Sequence, residues 1–276
     1  MQKYLLIVAS FLAGMSLQAQ DITMSFPHLA GKTYEFFIFQ GDKTVMVADT
    51  IPSDGKFVLS VPAEHRPYTG MCRWLITNTM EGGGLDLLIP GNDFSVSCLD
   101  PTPNDENIIY VNNNSPETLN RLYKEQQEIF NRYSAIEQVV KAYGKGDKAQ
   151  KFFTKELNTQ IKAYSDFQKK LNNESKYIAQ FITIVNVTMG NATRLGINEN
   201  EKALAISDYI TNQLDWDMLY TSGHWSGIIT AWTDIHTAVI KDKDVMASDM
   251  ATIQKKLNPK LRKEFDDKVA YLQSRQ

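Results

Sequence analysis

The hydrophobic period of this chain changes once, at residues 112–115, and that switch limits the fold more than any other feature. Before it, short runs rich in β-branched and aromatic residues alternate between turn residues, the pattern of half-buried strands. After it, apolar residues recur at the three-and-four spacing of an amphipathic helix. Strands at one end and helices at the other predict an α+β protein: an N-terminal antiparallel β-sandwich-like domain followed by an all-α helical bundle.

Strand runs fall at 33–39, 44–50, 56–61, 71–77, 85–89 and 94–99. Between them lie Gln40-Gly41-Asp42, Pro52-Ser53-Asp54-Gly55, Gly82-Gly83-Gly84 and Pro90-Gly91-Asn92-Asp93, where a glycine admits positive φ or a proline fixes φ at the reversal. Ser115, followed by Pro116 and Glu117, reads as a helix N-cap and first turn. Leu119, Leu122, Tyr123, Ile129, Phe130, Tyr133, Ile136 and Val140 then share one stripe, which Gly144 to Asp147 interrupts. A second helix carries Phe153, Leu157, Ile161, Tyr164, Phe167 and Leu171, and so short a link makes the two antiparallel neighbours. Further helices are predicted over 175–189, 199–213 and 224–240, with one or two more toward the C-terminus. No internal repeat is visible.

The first residues form a segment of another kind. Lys3 precedes the apolar run Tyr4 to Leu12, and Ser16-Leu17-Gln18-Ala19 follows Gly14. This is the layout of a secretory signal peptide cleaved between Ala19 and Gln20. The run is shorter than the roughly 18 to 20 residues a membrane span requires. No cysteine at the cleavage site offers a lipid anchor, and no later segment is apolar enough to cross a bilayer. The expected organisation is therefore a signal peptide at 1–19, a β-sandwich-like domain at 20–112 and a helical domain at 113–276, in a periplasmic or otherwise exported protein. Twenty-nine basic and 32 acidic residues, mixed along the chain, give a net charge of −3, which attracts neither nucleic acid nor an anionic membrane in particular.

The residues that carry chemistry elsewhere are scattered here. His28, His65, His224 and His236 lie in both halves without HxxxH or HExxH spacing, and Asp234 and His236, two apart on a predicted helix, point to different faces. No GxGxxG, GxxxxGK[ST] or GxSxG is present, so neither a phosphate-binding loop nor a nucleophile elbow is indicated. Asp266-Asp267 and the Asp242 and Asp244 pair sit among lysines and read as solvated helix faces. Trp225, Ile228, Ile229, Trp232, Ile235 and Val239 recur at helical spacing, either as a core face or as an aromatic ligand groove. Cys72 and Cys98, the only cysteines, are too far apart in sequence for a CxxC centre. A disulfide joins them if their strands are near neighbours; otherwise they are small buried hydrophobes.

One stretch resembles a known arrangement. Val47-Ala48-Asp49-Thr50-Ile51-Pro52-Ser53-Asp54-Gly55-Lys56-Phe57 and Leu87-Leu88-Ile89-Pro90-Gly91-Asn92-Asp93 are similar to an N-terminal β module of unknown function. That module precedes thioredoxin-like and alkyl-hydroperoxide-reductase-type domains in exported Gram-negative proteins. Leu171-Asn172-Asn173-Glu174-Ser175-Lys176-Tyr177-Ile178-Ala179 looks like the helical region of the same proteins. The resemblance implies their scaffold. Their chemistry belongs to a C-terminal thioredoxin fold, and this chain has no cysteine after Cys98, whereas thiol exchange needs a thiolate.

The expectation is an exported, non-enzymatic binding or assembly module with no cofactor and a protein partner in the envelope. Its working surfaces would be the loops at 40–43, 80–84 and 90–93 or the groove between the domains. Two alternatives stay open: an accessory half of a thiol-disulfide system acting with a separate redox partner, and a small-molecule carrier built on Trp225 and Trp232.

Overall fold

A computed structural model of the chain describes residues 20–80, 82–143 and 146–275. Residues 1–19, expected as a signal peptide, together with Glu81 and Gly144 of the expected helix break, lie outside the described residues. The eight described strands are β1 (Asp21–Ser25), β2 (Thr33–Gln40), β3 (Lys43–Thr50), β4 (Lys56–Ser60), β5 (Gly70–Thr77), β6 (Gly84–Ile89), β7 (Phe94–Ser97) and β8 (Ile109–Val111). They form two four-stranded sheets, ordered β4-β1-β7-β8 and β3-β2-β5-β6. Alternation points Ile22 and Met24 of β1, Phe36 and Ile38 of β2, Trp74 of β5 and Val96 of β7 inward, all at most 1 % exposed. The sandwich is antiparallel with one exception: β1 runs parallel to β7, Ile22 opposite Phe94. A strand that no hairpin joins to its neighbours, as none joins β1 to β4 or β7, can be placed between them in either direction.

Strands end at Val111 and helices begin at Ser115. The capping side chain lies two residues earlier than the sequence suggests. Asn113 accepts the Ser115 amide on Oδ1 (3.0 Å) and donates from Nδ2 to the Leu88 carbonyl (2.8 Å), so one side chain both starts the helix and ties it to β6. The helices are α1 (Ser115–Ala142), α2 (Lys148–Leu171), α3 (Lys176–Thr188), α4 (Glu199–Asp208), α5 (Trp216–Tyr220), α6 (Trp225–Asp234), α7 (Lys243–Gln254) and α8 (Pro259–Gln273). The predicted helices at 199–213 and 224–240 change pitch part-way, continuing as π-helical turns at Tyr209–Gln213 and Ile235–Ile240. No described helix is long and apolar enough to cross a membrane.

The two halves are joined by a shared core and a hydrogen-bonded seam. Met71 and Leu88, on the outer face of the second sheet, pack in one cluster with Leu122, Tyr164, Phe167 and Ile182. At the seam the Thr221 carbonyl accepts from the Met71 amide (2.9 Å), the Tyr177 hydroxyl (3.1 Å) and the Tyr68 hydroxyl (3.3 Å). Nearby, the Gly41 amide donates to the Tyr220 carbonyl (2.8 Å), and Asp42 pairs with Lys268 (3.1 Å). The 40–43 hairpin, expected as a free recognition loop, is therefore an internal joint. Loop 90–93 is also tied down, since Asp93 accepts the Asp21 amide (3.0 Å) and Asn92 donates to the Asn112 carbonyl.

Candidate functional site

Where α1 passes α3 and the segment leading to α4, the surface opens into a cleft of about 750 Å³. Its wall from α1 carries Tyr123, Gln126, Phe130, Tyr133 and Glu137, residues three or four apart and hence on one helix face. The opposite wall carries Val185, Asn186, Met189, Arg194, Leu195 and Ile197. At the floor Gln126 and Asn186 exchange two amide hydrogen bonds, Gln126 Nε2 to Asn186 Oδ1 (2.8 Å) and Asn186 Nδ2 to Gln126 Oε1 (2.7 Å), with 5 % and 2 % of their surfaces exposed. Reciprocal pairing leaves each amide with further donor and acceptor capacity beneath a lining that mixes aromatic, aliphatic and polar side chains.

The rim is charged. Tyr133 donates to Glu137 Oε1 (3.1 Å), and Lys141 lies 2.9 Å from the same carboxylate. The Lys141 hydrogen bond holds the Glu137 carboxyl below its ordinary range, while burial raises the Tyr133 hydroxyl. Lys202 pairs with Glu199 (2.8 Å). Lys124 and Arg194, also lining the cleft, meet no carboxylate among the described residues. Met189 stands at the mouth, 73 % exposed. No histidine or cysteine lines this space. The lining offers an aromatic wall, a pair of amides and two cations without a carboxylate partner among the described residues.

A second cluster looks catalytic at first sight. His236 Nε2 lies 3.1 Å from Ser207 Oγ and 3.3 Å from Asp249 Oδ2. Both neighbours share one ring nitrogen, and Nδ1 has no partner. A relay of the Ser-His-Asp kind needs the carboxylate on one nitrogen and the hydroxyl on the other. Ser207 and His236 are 3 % and 1 % exposed, so no substrate reaches them. Asp234, the neighbour weighed from sequence, is not part of this cluster. Among the described residues no group of three metal-ligating side chains converges.

Burial lowers the His236 imidazole from 6.5 against the opposing pull of Asp249, and burial also lowers His224. As pH falls, the unfolded imidazole takes up its proton first, so the unfolded state binds more protons and stability declines. That decline begins near 6.5 and ends once the folded imidazoles titrate. Thermal melts from about pH 7 to 5 are expected to show a falling midpoint, shallower in His236→Gln; an unchanged slope would refute the assignment.

The cysteines take the second of their two sequence readings, and the disulfide is corrected. Cys72 lies on β5 and Cys98 just beyond β7, in different sheets, and both are free and buried. Cys98 Sγ turns to Asn107 Oδ1 (3.4 Å), and burial pushes the Cys72 thiol far above its normal range. A thiol reagent is expected to modify both sites in the native protein at least ~10³-fold slower than in denaturant. Comparable rates would place a sulfur at the surface. The tryptophan reading resolves toward the core: Trp225 and Trp232 are 1 % and 0 % exposed, Trp232 packs on Phe265 (5.8 Å between ring centres), and its Nε1 donates to Thr211 Oγ1. The pocket that a carrier built on these two rings requires is filled by protein.

No protein-family model, curated protein or solved structure matches the chain.

Proposed function

We propose that this chain is an exported, non-enzymatic binding module of the bacterial envelope, and that the cleft between α1 and the 185–202 segment is where it holds its partner. The observation that carries the reading is the pairing of an aromatic wall with two unneutralised cations, Lys124 and Arg194, over a preformed amide floor. Such a lining suits a protein segment with an acidic group beside an apolar side chain. Nucleophile and base are not brought together there, which favours binding over turnover. Export rests on the N-terminal sequence of Lys3 and the apolar run that follows it.

A photoreactive benzoylphenylalanine at position 189, in the chain from Gln20 onward, tests the reading in envelope extract. The expected result is one discrete adduct that disappears when Lys124→Glu and Arg194→Glu are combined. The same adduct formed from position 58, on the remote outer face of the first sheet, or an adduct indifferent to charge reversal, would discard the cleft as the binding site.

A further inference from the structure

Past Ile129, first along the outer part of the cleft and then beyond it, α1 and α2 continue as a two-helix arm. None of the described residues from 130 to 159 is buried, although Ile129 and Gln160, which bound this stretch, both are. The part of α1 beyond Ile129 is about 20 Å long at 1.5 Å per residue. An antiparallel pair with no buried position gains little from its own packing, so its outer end is shaped by what it presents to solvent.

That end is basic and aromatic. Lys148, Lys151, Phe152 and Lys155 fall at positions i, i+3, i+4 and i+7 of α2 and thus share one face. All four are exposed, Phe152 by 70 %. No carboxylate pairs with any of the three lysines among the described residues, in contrast to Lys162, Lys169 and Lys170 farther along the same helix, which are all paired. Tyr143, 38 % exposed, packs on Phe153 (5.1 Å between ring centres), and Phe153 meets Phe152 edge-on (5.6 Å). The nearest acids are engaged elsewhere: Asp147 caps α2 through the Ala149 amide, and Glu156 accepts from Gln160.

We propose that this tip docks the protein on an anionic phospholipid surface, with Phe152 and Tyr143 entering the headgroup region and Lys148, Lys151 and Lys155 lying over the lipid phosphates. Charge complementarity favours a lipid surface, and the exposed aromatic pair distinguishes it from a merely acidic polymer, because interfacial insertion rewards an apolar ring flanked by lysines. The net charge of −3 conceals this local excess. The attachment is peripheral: α2 carries too many charges to enter a bilayer, and the arm would hold the cleft away from the surface.

The test is co-sedimentation of the chain from Gln20 onward, which contains every described strand and helix, with vesicles of phosphatidylcholine alone or mixed with phosphatidylglycerol. Binding is expected only to the mixed vesicles, falling steeply as salt rises. Combined Lys148→Glu, Lys151→Glu and Lys155→Glu is expected to abolish it, and Phe152→Ala to weaken it about tenfold. These are surface positions, and an unchanged thermal midpoint confirms that the variants stay folded. Equal binding to both vesicle types, no binding at low salt, or wild-type binding by the charge-reversed variant overturns the proposal. So does full retention of binding by Phe152→Ala together with competition by polyglutamate, which would identify an acidic protein as the occupant.

Discussion

Gly70→Ala is expected to cost about 3 to 5 kcal/mol, although it adds only one methyl group, at the start of β5, an inner strand of the second sheet. A Cβ at this position would fall 2.4 Å from Thr221 Cβ and 2.8 Å from the Thr221 carbonyl oxygen. Neither neighbour is the free end of a flexible chain. The methyl therefore forces β5 and the turn after α5 apart, an overpacking cost of about 1 to 3 kcal/mol. Separation then lengthens the bonds that converge on the Thr221 carbonyl from Met71, Tyr68 and Tyr177. Each buried polar group left unmatched adds about 1 to 3 kcal/mol, shared among neighbours and so not additive. Burial already marks these hydroxyls, since Tyr177 is raised to about 12 and Tyr68 beyond its ordinary range. Denaturant midpoints measure the loss. Gly70→Ala combined with Thr221→Gly removes the side-chain part of the clash, leaving only the carbonyl contact, and should recover part of the loss. A single variant within about 1 kcal/mol of wild type would show that the seam does not hold the halves together.

The seam also explains which parts of the fold were legible in the sequence. Alternation located β2, β5 and β7 to within a residue or two because they feed alternate side chains into the sandwich core, whereas β3, which sends only Val45 toward that core, was legible from its β-branched residues and flanking turns. It missed β1 and β8. β8 is only three residues long, with Ile109 and Val111 both exposed, so its pairing with β7 rather than its composition makes it a strand. β1 alternates correctly but is set by partners distant in sequence, β4 and β7. The one-turn helix α5 is likewise tertiary: Trp216 is held between Trp225 and Phe265, and Asp215 caps the turn through the Met218 amide. The π-helical ends of α4 and α6 keep the same apolar spacing as an α-helix over so few residues, and periodicity does not separate the two. The 40–43 hairpin was misjudged for a related reason. Gly41 marks a turn, but only Tyr220, whose ring a Cβ at Gly41 would meet at 2.7 Å, reveals that the turn is covered.

The cleft left a signal that was readable. Gln126 interrupts the apolar stripe of α1 between Leu122 and Ile129, and Asn186 interrupts the apolar run of α3 between Ile184 and Val187. A polar residue on a core stripe demands a buried partner, and each supplies the other's. Gln126→Leu alone is expected to destabilise the protein by about 2 to 4 kcal/mol, because the Asn186 amide loses both bonds while remaining 2 % exposed. Asn186→Leu should cost a similar amount by the mirror argument. Combining the two removes both polar groups, so the pair should recover to within about 1 kcal/mol of wild type, a coupling of about 3 kcal/mol or more. Stability and binding then part company. The double variant keeps its fold but presents a wholly apolar floor, so the crosslink from position 189 should weaken while the melting curve does not. Additive losses in the double variant would mean that the two amides do not depend on one another, and an undiminished crosslink would remove them from the recognition surface, leaving Lys124, Arg194 and the aromatic wall to carry it.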